Sequence, residues 1–181
     1  MVAATRVIVR RPSPGLAVAL YVREAQALAR LGDATASARA LDRAAESLAV
    51  GTNVSDPVID PLPNNVDEDW LDVSSGTAWL DLRRPKKALS HFTALLDDGS
   101  PSRTPALSSP YAARRLLYVV DAQLALGELD AATPSAHRAV ALVGSMTPGL
   151  ARKFRQRFTP CSAEPAVRDL MGHFLTSHAA S

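Results

Sequence analysis

Side chains able to do acid–base or metal chemistry are present in this chain, but their spacing assembles no familiar reaction centre. Asp67, Glu68 and Asp69 stand together and could bind a metal ion or exchange protons. Adjacent acids point in different directions, however, and negative charge is favoured at the start of a helix. Helix capping is therefore the first interpretation of this cluster, and metal or acid–base chemistry is the second.

Thiol and imidazole chemistry is limited by number and spacing. Cys161 is the one cysteine, so the chain can form neither an internal disulfide nor a site with several thiolates. His173 and His178 are five positions apart, which does not place two metal ligands on one helical face. Phosphate-binding, dinucleotide-binding, zinc-helix and serine-hydrolase motifs are also missing. We therefore predict no catalytic residue, no cofactor, no metal and no enzymatic activity.

A cluster of cations near the C-terminus, called here the basic patch, consists of Arg152, Lys153, Arg155 and Arg157. Leu150, Phe154 and Phe158 recur every four residues around it and predict an apolar helical stripe. Packing of the basic stems along that stripe is the first interpretation. Phosphate binding, including salt-dependent binding of nucleic acid, and docking to an acidic partner are the alternatives. Sequence-specific DNA binding is not expected, because no second helix with base-reading side chains is present.

The composition predicts that helices position all of these side chains. The chain has 181 residues, of which 32 are alanine and 23 are leucine, the strongest helix formers. Aromatic residues, which favour strands, make up only 5%. A hydrophobic fraction of 47% with a net charge of +2 excludes general disorder. We predict an all-α fold of about eight helices without a strand.

Proline and capping residues divide the chain into those helices. A hydroxyl residue followed by proline starts a helix at Pro14, Pro110 and Pro148. Asp67 and Ser162 are expected to cap two others. Pro134 falls early in the sixth helix, where it either removes one backbone hydrogen bond or delays the helix start. The segments rich in proline and turn formers, at 51–66 and 99–108, are expected to be loops.

Three short turns share one pattern, which predicts an internal repeat. The turn position, called here the glycine slot, holds Gly32, Arg83 and Gly127. Glycine suits such a slot because the turn requires a residue that tolerates positive φ. Five positions later a small residue follows, and four after that a residue that fills the gap to the next hairpin. These two positions hold Ser37, Ala88 and Ala132, then Leu41, Phe92 and Ala136.

This pattern resembles the tetratricopeptide repeat, in which helical hairpins stack because none buries its apolar face alone. The second unit carries the resemblance best, with Gly76, Trp79, Ala88 and Phe92 at the family's small, aromatic, alanine and phenylalanine positions. The slots are 51 and 44 residues apart, whereas the family repeats every 34. The expected organisation is a flexible basic tail (1–12), three hairpins (13–146), a capping C-terminal helix pair (147–176) and a second tail (177–181).

The order of segments is also similar to the C-terminal region of helix-turn-helix (Xre-type) transcriptional regulators of high-GC Gram-positive bacteria. The segments that carry this similarity are the acidic stretch ending at Asp69-Trp70-Leu71, then LDLRRPKKALSHF, LALGELDAA and Pro165–Leu170. The resemblance implies the sensor part of a regulator, without its DNA-binding domain. A truncated remnant of such a regulator is an alternative.

In the family's arrangement the first helix of each hairpin lines a concave groove. That register would place seven side chains in the groove: Gln26, Arg30, Trp70, Thr77, Asp81, Arg114 and Asp121. Mixed charge with one large aromatic residue suits capture of an extended peptide or a helix. Trp70 has a rival interpretation as a core anchor. We therefore expect a protein- or peptide-binding scaffold, with self-association as a further expectation.

Charge and hydropathy complete the sequence-based prediction. Residues 1–30 carry a net charge of about +4, residues 46–72 about −7 and residues 138–181 about +4. The apolar run that follows Arg10-Arg11 resembles an export signal but stops at Arg23, and no segment reaches the roughly 20 apolar residues of a membrane span. We predict a cytoplasmic protein with no membrane partner.

Overall fold

The structure, a computed structural model, describes residues 14–50, 66–92, 110–143 and 148–176. Within these ranges the chain is entirely helical, with eight α-helices, one short 3-10 turn and no strand, as its composition predicts. Several predictions fall outside the described residues: the two tails, the loop 99–108, the loop 51–66 apart from Val66, and the end of the fourth helix beyond Phe92.

The first compact unit, Met1–Arg84, contains three helices. They are α1 (Pro14–Arg30), α2 (Ala34–Val50) and α3 (Glu68–Asp81). The first two form a hairpin, and α3 contacts both of them. Val18, Val22 and Ala44 make the buried centre of this unit, against which α3 lays Trp70 and Leu71.

The second compact unit, Pro85–Ser181, contains the other five helices. They are α4 (Pro85–His91), α5 (Pro110–Ala125), α6 (Leu129–Val143), α7 (Pro148–Phe158) and α8 (Pro165–Thr176). Helices α5 and α6 form a hairpin, α4 packs on α5, and α8 contacts both α6 and α7. The rings of Phe92 and Tyr118 stack with their centroids 6.2 Å apart, where α4 meets α5. The boundary between the units falls between α3 and α4, the two halves of the predicted middle hairpin.

Helix starts follow the residues that the sequence marks. Five of the eight helices described have proline as their first residue, where its fixed φ is helical and its missing N–H costs nothing. Asp33 and Asp67 cap α2 and α3, because each carboxylate accepts a hydrogen bond from a backbone N–H three residues on, at 2.8 Å. For Asp67, the capping interpretation is therefore confirmed.

The start of α8 and the proline inside α6 are the subject of two local predictions. The expected cap at Ser162 is wrong, because α8 begins three residues later at Pro165. Ser162 instead closes the 3-10 turn, donating its N–H to the carbonyl of Thr159 at 3.3 Å. Pro134 lies inside α6 without delaying its start at Leu129, so it removes the backbone bond to Asp130.

The three turns with a glycine slot have the same backbone, the Schellman motif. In each, the slot residue bonds the carbonyl three residues back and the next residue bonds the carbonyl five back, at 2.9–3.0 Å. Gly32, Arg83 and Gly127 all have positive φ, at 82°, 57° and 76°. The prediction of a positive-φ slot is therefore confirmed, even where arginine occupies it.

The positions on either side of each slot are buried in the same way. The small residues five positions after the slot, Ser37, Ala88 and Ala132, are fully buried. The residues seven positions before the slot, Ala25, Gly76 and Val120, are also buried. Ser37 meets the polar cost of burial by donating its hydroxyl to the carbonyl of Ala25 at 2.9 Å. In the first hairpin these two small residues allow α1 and α2 to approach closely.

Candidate functional site

Helices α1 and α3 join four of the predicted groove residues in one polar row, called here the inner row. The Nε2 of Gln26 donates to the Oγ1 of Thr77 at 3.1 Å. The Nε of Arg30 lies 3.2 Å from the Oδ2 of Asp81. Both pairs are separated by 51 residues, the same interval that separates Gly32 from Arg83. Equivalent positions of the first two repeats therefore contact each other directly.

Hydrogen bonds run along this row in one direction. Arg23 donates to the Oε1 of Gln26 at 3.1 Å, and Gln26 donates to Thr77. The hydroxyl of Thr77 then donates to the carbonyl of Ser74 at 2.7 Å. Sequence reasoning missed Arg23, although its position three residues before Gln26 on one helix was an available signal. The row combines a chain of donors and acceptors with an ion pair whose arginine is 69% exposed.

Trp70, the one large aromatic residue of the predicted groove, packs against the first hairpin. Its side chain is partly buried beside Val18, Val22 and Ala44, and its backbone N–H is held by the Asp67 carboxylate. This placement favours the core-anchor interpretation over a freely projecting groove side chain. The capping bond fixes the start of α3 and so also fixes where the tryptophan lies.

Asp121 on α5 holds a residue of the basic patch. The Nε of Arg157 donates to its Oδ1 at 2.6 Å and the Nη2 to its Oδ2 at 2.9 Å. This two-point geometry is the strong form of an arginine–carboxylate pair. Asp121 stands 44 residues after Thr77, the interval of the second repeat step, so it occupies the same repeat position. The predicted groove and the predicted basic patch therefore meet at this pair.

The other three residues of the basic patch are exposed or half-buried. Arg152 and Lys153 are exposed and Arg155 is half-buried, whereas Phe154 and Phe158 are fully buried on the other side of α7. The predicted apolar stripe is confirmed at both phenylalanines. The side chains of Leu150 and Arg114, as well as that of His173, lie outside the described residues, as does His178.

Gln123 on α5 is a buried polar residue that sequence reasoning did not single out. The residue is only 5% exposed, and among the described residues its Oε1 accepts no hydrogen bond. It stands four positions before its glycine slot, where the first two repeats carry Leu28 and Trp79. An amide at an otherwise apolar repeat position was the signal available in the sequence.

The described residues show neither a metal-binding cluster nor a membrane-spanning helix. No three His, Cys, Asp or Glu side chains in these ranges come together as a metal-binding group. None of the helices described is both long enough and apolar enough to cross a membrane.

Comparison with known proteins adds no relative to this description. No protein-family model, no curated protein and no solved structure matches the chain.

Proposed function

We propose that this chain is a non-enzymatic, tetratricopeptide-like scaffold that binds a protein or peptide segment along the inner row. The observation that carries the proposal is the in-register pairing of Gln26 with Thr77 and of Arg30 with Asp81. Pairing at the repeat interval is what stacked hairpins require, because each first helix must lie beside the next one.

The repeated turn supports the tetratricopeptide-like part of the proposal. Three Schellman turns, each with a positive-φ slot and buried small residues at the same offsets, are described in the two units. Gly76, Ala88 and Phe92, which carry the sequence resemblance, are all buried. Within the first unit α1 and α3 contact each other, and the surface that they share is the binding surface in our proposal.

The inner row suits an extended peptide for chemical reasons. A peptide backbone offers alternating donors and acceptors, and an amide, a hydroxyl and an ion pair can each exchange a hydrogen bond with it. Arg30 is 69% exposed and contacts Asp81 through its Nε, so a ligand can approach the other nitrogens of the guanidinium. We propose a partner segment with a carboxylate placed to share Arg30.

The biological setting is a proposal from resemblance alone. Similarity to the sensor region of helix-turn-helix regulators suggests transcriptional regulation, with the partner as the signal. The alternative is phosphate binding through the basic patch, supported by the exposure of Arg152 and Lys153. Arg157 counts against it, because Asp121 already holds that guanidinium at two points. Titration with a DNA duplex at two salt concentrations tests it, and no affinity at low salt removes it.

A peptide-display selection tests the groove. The full chain is the target, and the tightest selected peptide is synthesised and titrated against wild type and variants. Arg30→Glu should weaken binding about tenfold, the loss of one charge-assisted contact. Arg39→Glu is the matched control, because Arg39 is an exposed arginine on α2, away from the inner row. Helicity, followed by circular dichroism, should be unchanged in both variants.

A charge exchange separates binding from folding. Arg30→Asp combined with Asp81→Arg keeps an ion pair between α1 and α3 but reverses its direction. We expect folding to be preserved and affinity for the selected peptide to fall. The groove assignment is wrong if Arg30→Glu and the exchange both bind the peptide as tightly as wild type.

A further inference from the structure

An apolar triplet along α1 and the residue directly after it recurs unchanged along α3 and the residue directly after that helix. Leu20, Ala27 and Leu31 are followed, 51 residues later, by Leu71, Ala78 and Leu82. The interval is the one that relates the first two glycine slots and the pairs of the inner row. The two triplets therefore occupy equivalent positions of two successive repeats, with identical residue types.

On α3 the corresponding residues are at least partly buried. Ala78 is fully buried, and Leu71 packs against the cluster of Val18, Val22 and Ala44. Leu82, directly after α3, is half-buried. The chain itself thus shows what Leu71, the counterpart of Leu20, packs against: the face of a helical hairpin lined by valine and alanine.

On α1 the same triplet is open. Leu20 is 54% exposed and Leu31 is 81% exposed, and Ala27 is exposed between them. At about 100° per residue the three side chains lie within roughly 40° of one another around the helix. Leu20 and Leu31 are two of the three large hydrophobic residues that are exposed in the described ranges, and they share this single face.

We propose that the stripe of Leu20, Ala27 and Leu31 is a docking surface for a helical hairpin of a partner protein, which extends the stack ahead of α1. The inference rests on the stacked-hairpin part of the proposed function, and it does not depend on the inner row. Docking at this stripe continues the interface already present between the first hairpin and α3. The large–small–large pattern allows close approach at Ala27, with a leucine packing on each side.

The chemistry of the partner follows from the internal interface. Its docking face carries valine and alanine at the centre, because those residues meet Leu71, the counterpart of Leu20, on α3. A partner with this face matches the stripe in shape and in apolar character.

A second copy of this chain is not the occupant that the described residues favour. In each copy, α3 already covers the valine and alanine face of the first hairpin. The hairpin of α5 and α6 likewise contacts α8, and Asp121 on α5 is held by Arg157 of α7. Among the described hairpins, the faces able to cover the stripe are already in use.

The test gives the stripe a hairpin of the required kind. A second copy of residues 14–64 is inserted directly before Pro14 of the full chain, which places the added hairpin at the natural interval of 51 residues. Docking should raise the melting temperature by about 5 °C. It should also slow amide hydrogen exchange across the acceptor α1 at least tenfold. Leu20→Glu with Leu31→Glu in that acceptor helix should abolish both gains.

Matched variants keep the result interpretable. Thr35→Glu with Ala45→Glu places two carboxylates on exposed positions of α2 and should leave both gains intact. The proposal is overturned if the extended chain gains neither stability nor protection, or if the gains survive the two leucine changes. Concentration-dependent dimers of the natural chain that Leu31→Glu dissolves would overturn it in favour of a second copy. Arg30→Glu is made only in the chain of natural length, where it tests the groove, so the two proposals can fail separately.

Discussion

The hairpin of α1 and α2 and the hairpin of α5 and α6 share their turn but differ in what surrounds it. Gly32 and Gly127 adopt nearly the same φ and the same pair of hydrogen bonds. Six positions earlier, however, Gln26 bonds a neighbouring first helix, whereas Asp121 bonds a C-terminal helix. The turn is therefore encoded locally, while each hairpin's polar contacts are set by the element that follows it.

The largest difference in the free energy of unfolding should come from the aromatic side chains of the helices that cover the two hairpins. Phe158 is fully buried, so Phe158→Ala should lower the free energy of unfolding by about 3–5 kcal/mol. Trp70 is only partly buried, and Trp70→Ala should cost roughly half as much. Urea denaturation followed by circular dichroism measures both, with Phe158→Leu as a mild control. Equal costs at the two aromatic residues would contradict the comparison.

The next prediction concerns the positive-φ residues of the shared turn. Gly32→Ala and Gly127→Ala should each cost about 1–2 kcal/mol, because an L-residue is strained at positive φ. An added Cβ meets no atom within 4 Å at either glycine, so a steric clash does not contribute. Arg83→Gly should instead stabilise by about 0.5 kcal/mol, since relief of strain is partly offset by the entropy of glycine. Unfolding free energies unchanged at both glycines would show that the turn backbone is not what fixes the hairpins.

The two hairpins carry different residues at one equivalent interior position, Gln123 in the second and Leu28 in the first. Exchanging the residue types tests how much this difference contributes to stability. Gln123→Leu should raise the free energy of unfolding by about 1 kcal/mol, because a buried acceptor that has no partner among the described residues is removed. Leu28→Gln, four positions before Gly32, should lower it by a similar amount. Thermal melts of the two single variants measure the pair. A loss of stability in Gln123→Leu would mean that the amide makes a favourable contact after all.

The two ion pairs give the last contrast between the regions. A double-mutant cycle between Arg157 and Asp121 should give a coupling of about 1 kcal/mol, because the arginine is only 26% exposed and both contacts are short. The pair of Arg30 and Asp81 is more open and should couple by about 0.2–0.5 kcal/mol. Both couplings should shrink in high salt. A coupling between Arg30 and Asp81 that is stronger than the one between Arg157 and Asp121 would contradict this prediction.

Local signals in the sequence account for most of the fold that could be predicted. Proline at the first helical position, aspartate at the caps and glycine in two of the three slots each act within a few residues. They therefore identify α1 and α3 and the turns at Gly32 and Gly127 without tertiary information. Ser162 misled because Pro165, three residues later, fixes a better helix start. A hydroxyl residue can end a 3-10 turn as readily as it can cap a helix, so the local preference of serine does not distinguish the two roles.

The candidate site was less predictable, because its contacts join distant parts of the chain. The repeat interval places Gln26 and Thr77 on the same face, but only the packing of α3 against α1 brings them to 3.1 Å. Arg157 and Asp121 carry no sequence signal of their pairing, since neither the repeat nor the helical period relates α5 to α7. Such contacts depend on how helices pack, which is decided by buried side chains.

The positions of the tryptophans and of the cysteine allow the separation of the two units to be followed by fluorescence energy transfer. Both tryptophans, Trp70 and Trp79, belong to the first unit, and the single thiol, Cys161, belongs to the second and is partly accessible. A thiol-reactive acceptor dye therefore labels one position without any substitution. Excitation of the tryptophans then reports, through energy transfer to the dye, any change in separation between the units when a partner binds.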